Sequence, residues 1–107
     1  METVSDMIEP SKIDDILRAE DIEGLLVLGA PHDEYSSEAR AISSALGEVK
    51  LEGVTESFLY DLVMQVWIRS FGPFEEEALV KRSAAFHRVA RQLLSQLLTN
   101  IPSTGLR

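Results

Sequence analysis

The residues of this chain that could hold a metal ion or move a proton are its 18 carboxylates and two histidines. The tightest grouping is His32-Asp33-Glu34. A metal centre needs three or four ligands at defined distances, with further groups orienting them. Three adjacent loop side chains do not converge unaided, and the other histidine, His87, belongs to a remote predicted helix. The expectation is therefore no metal and no cofactor. Asp33 and Glu34 are read instead as organisers of the turn before a helix.

Nucleophilic chemistry finds as little support. The chain has no cysteine, which excludes thiolate ligands, disulfides and cysteine nucleophiles. There is no G-x-S-x-G, no G-x-G-x-x-G and no G-x-x-x-x-G-K. The pair Asp14-Asp15 sits on a short predicted helix, where neighbouring side chains diverge. No catalytic residue is assigned, and the chain is expected not to be an enzyme.

Charge says more. Residues 1 to 61 carry 15 acids and four bases, a balance of −11, and residues 62 to 107 carry three acids and six bases, a balance of +3; together they give −8. So acidic a front half repels phosphate backbones, which argues against nucleic acid, and attracts a basic protein partner. The bases gather on the last predicted helix as Lys81, Arg82, Arg88 and Arg91. They are expected to pair with acids of the same chain in preference to an external anion. The opening METVSDMIEP lacks the basic and apolar regions of a secretory signal, and no apolar run approaches the roughly 20 residues a membrane helix needs. A cytoplasmic location, away from membranes, is the expectation.

The elements that position these residues follow from periodicity and punctuation. At 107 residues and 45% hydrophobic, one domain with one core is expected, spanning 1–107, with 1–9 and 101–107 loosely held. The spacing predicts a helix from Ser11 to Glu20, opened by a Ser11/Asp14 capping box and burying Ile13, Ile16 and Leu17. Leu25 to Leu28, between Gly24 and Gly29-Ala30-Pro31, reads as a buried irregular connection, with Asp33, Glu34 and Tyr35 as candidates to satisfy its backbone. A second helix runs from Ser36 or Ser37 to Leu46, with Glu38 in its first turn, Ala39, Ile42 and Leu46 inward, and Gly47 as its stop. A short extended piece is expected near Val49 to Leu51. Thr55 caps the third helix and Gly72-Pro73 ends it. That helix is apolar almost all round, with a narrow seam of Asp61, Gln65 and Arg69, and so belongs at the centre with Trp67 in the core. The fourth helix runs from Phe74 or Glu75 to Leu98, with Glu77 placed to pair with Lys81. The fold class is all-α: a compact array of about four helices, the apolar third central and the fourth long.

The stretch GLLVLGAPHDEYSSEARAI resembles the YugE-like family of small bacterial helical proteins, whose function is uncharacterised. The likeness rests on Gly24-Leu25-Leu26, Gly29-Ala30-Pro31, Asp33-Glu34-Tyr35, Glu38 and Ile42. The family usually has a Trp-Asp-Pro step before the two leucines; Ala19-Glu20-Asp21-Ile22 keeps the acid and lacks the other two. The resemblance implies a compact array of about four helices and carries no catalytic residues.

Two functional expectations follow. The first is a non-catalytic acidic interaction protein, in one version an immunity-type inhibitor of a basic toxin, with self-association open to it. The second is a small-ligand or metal-binding module centred on the Pro31–Tyr35 loop; Pro31, Asp33, Glu34, Tyr35 and Glu38 are the candidate interaction or structural motif.

Overall fold

The structure, a computed structural model, describes residues 4–99. Four α-helices account for most of it: α1 (Pro10–Glu20), α2 (Ser36–Leu46), α3 (Glu56–Phe71) and α4 (Glu76–Thr99). Two short 3-10 turns, Val4–Met7 and Leu51–Gly53, precede α1 and α3. No strand occurs among the described residues, and the fold is all-α. Helix α1 packs on α2 and α4, and α3 packs on the same two. The four axes therefore surround one core. No helix among the described residues is long and apolar enough to cross a membrane.

Each helix contributes one apolar stripe. Ile13, Ile16 and Leu17 come from α1, Ala39, Ile42 and Leu46 from α2, Leu59, Val63, Val66 and Trp67 from α3, and Phe86, Val89, Ala90, Leu93 and Leu97 from α4. The spacings of three and four in these sets are what a helix needs to keep one face dry. Trp67 is the largest fully buried side chain and touches Tyr35, Phe71 and Phe86 ring to ring. The Asp61, Gln65 and Arg69 seam faces solvent.

Helix ends decide the connections. Thr55 Oγ1 accepts the Phe58 N–H at 3.0 Å, the expected cap of α3. At the other end Gly72 is required by space, since a Cβ there would lie 2.5 Å from the Ile68 carbonyl oxygen. The Ser11/Asp14 capping box does not form. Helix α1 starts one residue earlier, at Pro10, whose missing N–H costs nothing in a first turn, and Glu9 is the cap residue without a side-chain bond. Gly47 follows α2 in right-handed geometry, so it ends the helix without the left-handed turn glycine usually supplies. Glu77 and Lys81 form no ion pair among the described residues.

Two connecting segments differ from expectation. The chain before α1 is packed where a loose turn was expected: Val4 and Ile8 are buried, and the Val4 N–H donates to the Val49 carbonyl at 2.8 Å. That bond occupies the backbone around Val49, where an extended piece was expected, and a 3-10 turn follows. The loose tail expected from residue 101 lies outside the described residues, as do residues 1–3.

Candidate functional site

The loop between α1 and α2 is held by a residue that lies outside the expected set. Asp21 closes α1 in the left-handed region (φ 45°), its N–H donating to the Leu17 carbonyl. This turns its carboxylate back over the following chain. Oδ1 accepts the Leu26 N–H at 3.1 Å and Oδ2 the Val27 N–H at 3.1 Å, while the Tyr35 hydroxyl donates to Oδ1 at 2.6 Å. The same hydroxyl accepts the Glu23 N–H at 3.2 Å. Burial pushes the Asp21 carboxyl up, but the bonds from Tyr35, Leu26, Val27 and Leu25 outweigh it and hold the pKa below the ordinary value. Burial is also the largest cause, ahead of the bond to Asp21, that raises the Tyr35 phenol well above the usual range.

Backbone bonds complete the loop. Gly24 N–H reaches the Asp21 carbonyl at 2.8 Å and Ala30 N–H the Leu25 carbonyl at 2.9 Å. Gly24 (φ 70°) and Gly29 (φ 103°) take the left-handed geometry at its two bends. A turn this tight cannot aim four consecutive side chains inward. Leu25 and Leu26 pack against the core, whereas Val27 and Leu28 are 85% and 81% exposed. The expectation of a wholly buried connection is corrected for these two residues.

The residues singled out in the sequence separate. Pro31 and Asp33 are exposed, Glu34 is half-buried, Tyr35 is fully buried beneath the loop, and Glu38 is 6% exposed on the inner side of α2. Asp33 and Glu34 shape the turn through main-chain bonds, Glu34 N–H to the Pro31 carbonyl and Ser36 N–H to the Asp33 carbonyl, both at 3.1 Å. The loop's inner N–H groups go instead to Asp21 and Tyr35. Of the three residues expected to satisfy them, Tyr35 does so, and Asp21 takes the part foreseen for Asp33 and Glu34 because it enters the loop from beneath. His32 meets Arg18 at 3.3 Å through Nδ1. Among the described residues, no group of three or more His, Asp or Glu side chains could hold a metal ion.

A second cluster ties this loop to α3 and α4. Glu23 accepts from the Trp67 indole Nε1 at 2.6 Å and from Arg82 through Nε and a terminal nitrogen, both at 2.7 Å. The Arg82 guanidinium also lies 4.4 Å above the Phe74 ring centre and donates to the Ala78 carbonyl. Arg82 is the largest cause that holds the Glu23 carboxyl below its ordinary pKa; burial opposes it and the Trp67 bond assists. Glu23 in turn raises Arg82. Three donors on one ionised carboxylate leave it a poor proton acceptor and a firm anchor. Nearby, Glu20 accepts from Arg88 at 3.1 Å and from Gln92 at 3.4 Å. Glu20, Glu23, Arg82 and Arg88, together with Ile22, Lys81 and Ala85, line a cleft of about 330 Å³ between the loop and α4. Its two carboxylates are already matched inside the molecule, by Arg82 and Arg88, and Lys81 is the cleft cation outside those pairs.

His87 stacks on Tyr60 with ring centres 4.2 Å apart and lies 3.7 Å from Glu56, which also meets Arg91 at 3.4 Å. Tyr60 donates to Ser83 at 3.3 Å. These contacts, partly exposed, join α3 to α4. No family model matches the chain, and no curated protein or solved structure matches it either.

Proposed function

We propose that this chain is a non-catalytic, cytoplasmic interaction protein that engages a partner with a basic surface, in the manner of an immunity-type inhibitor of a basic toxin. The observation that carries this reading is how the arginines of α4 are used. Arg82 is bound to Glu23, Arg88 to Glu20 and Arg91 to Glu56, so the three arginines of α4 are spent on internal pairs, and Arg69 and Lys81 stay outside them. Carboxylates remain outside those pairs at exposed positions, among them Glu9, Asp33, Glu48, Glu52, Asp61 and Glu75 to Glu77. Such an excess raises the encounter rate with a basic surface and makes it sensitive to ionic strength. The resemblance to the YugE-like family belongs to the same proposal: Gly24 to Ile42, which carry it, form one unit of clamped loop and helix.

Capture of the tagged chain's partners from its native host at about 50 mM and about 300 mM salt tests the reading. A partner of basic isoelectric point, retained at low salt and lost at high salt, is the expected result. No basic partner, or retention indifferent to salt, overturns it.

A further inference from the structure

The two largest apolar exposures among the described residues stand side by side, at Val27 and Leu28. They are carried on backbone that is already fixed. Asp21 holds the Leu26 and Val27 amides, Tyr35 holds Asp21, and the Leu25–Ala30 bond closes the turn beneath them. An apolar pair on a pre-ordered turn gives up little conformational freedom when it binds, which is how anchor residues of interfaces behave. We infer that Val27 and Leu28 are the apolar anchor of the interaction, seated in an apolar pocket of the partner that is bordered by lysine or arginine. This inference rests on the reading of a basic partner given above.

Charge and size select that occupant. Residues 19 to 39 include six acids and no lysine or arginine. Of the cations that approach from elsewhere, the arginines are paired, Arg18 with Asp15, Arg82 with Glu23 and Arg88 with Glu20, and Lys81 stands across the cleft on α4 outside these pairs. Asp33 and Glu34, just beyond the tip, take part in none of these pairs. A basic rim around an apolar pocket complements this arrangement. A second copy of the chain does not, because each copy carries −8. The two side chains also offer only roughly 200 Å² of apolar area, against about 800 Å² that each partner contributes to a standard interface. A tip-to-tip dimer would be too small as well as repulsive.

The test places the photoreactive residue p-benzoylphenylalanine at Leu28 of the full chain in its host, with Ala45 on the exposed side of α2 as control. Expected is an adduct to one protein from Leu28 and none from Ala45, the cross-linked peptide mapping to an apolar pocket flanked by Lys or Arg. With that protein purified, Leu28→Ser should weaken binding about 30-fold and leave the melting temperature unchanged. An adduct of two copies, an adduct to lipid, equal adducts from both positions, or no adduct overturns the inference. If a salt-sensitive basic partner is captured yet binds Val27→Ser/Leu28→Ser within threefold of wild type, the anchor fails while the reading of a basic partner stands. If no such partner is captured, both fall.

Discussion

Replacing Arg82 by methionine keeps an apolar stem over Phe74 and removes two of the three side-chain bonds to Glu23, both of 2.7 Å. The Glu23 carboxylate is then left with the Trp67 indole as its donor, in a site where the side chains of Glu23 and Arg82 are only 13% and 21% exposed. Removing one partner of a fully buried pair costs about 3–5 kcal/mol. The residual solvent contact and the surviving indole bond reduce this, and we expect about 2–3 kcal/mol. With a urea m-value of about 1.5 kcal/mol/M, the midpoint should fall by about 1.3–2 M. Trp67 is the only tryptophan, so its fluorescence reports both the transition and any change of packing at the site. The dependence on pH has a fixed sign. A carboxyl held below its ordinary pKa adds stability above the unfolded value, about 4.3, and loses that increment as pH falls through the lowered value. Arg82 is the main cause of the lowering, so wild type and variant should converge as the pH drops below about 4. A midpoint within about 0.3 M of wild type at pH 7 would refute the claim that this pair joins loop to helix.

Other substitutions separate the remaining contributions. Asp21→Asn keeps a side chain that tolerates the left-handed backbone but removes one charged acceptor; limited proteolysis should then cut between residues 24 and 30 faster, with a modest fall in melting temperature. Asp21 is also held below its ordinary pKa, so the wild-type loop should become easier to cut as pH falls below about 3.9. Glu38 has a buried Oε1 without a hydrogen-bond partner, and Glu38→Gln should raise stability by roughly 1 kcal/mol, read as a rise of about 4 °C in melting temperature. Gly72→Ala must displace the Ile68 carbonyl and should cost about 2 kcal/mol in chemical denaturation.

The helices were legible because their signals are local and redundant. The α3 span shows this best: Thr55 at its start, Gly72-Pro73 at its end, and an apolar set between that needs no knowledge of the partner helix. The pairing of the α4 arginines with acids of the front half followed from charge segregation, although not which acid meets which arginine. The loop was harder. A run of four apolar residues gives no sign of where a turn will tip two of them outward, since that depends on Asp21 reaching forward five and six residues. An aspartate just past the end of α1, with Gly three positions later, is all that the sequence carries of it. Glu23 offered none, because its partners Trp67 and Arg82 lie 44 and 59 residues away and meet it only once the core has formed. Asp33 and Glu34 drew attention by sitting beside a histidine, but adjacency in a turn does not bring side chains together, and only Tyr35 of that group points into the structure.

Native-state hydrogen exchange of the isolated chain tests most directly whether the Val27–Leu28 turn is fixed in advance. The amides of Leu26 and Val27, bound to the Asp21 carboxylate, should exchange at least tenfold more slowly than an unstructured chain, and lose that protection in Asp21→Asn. Exchange of both amides at the unstructured rate in the wild-type protein would contradict the account, leaving an apolar tip with no scaffold to present it.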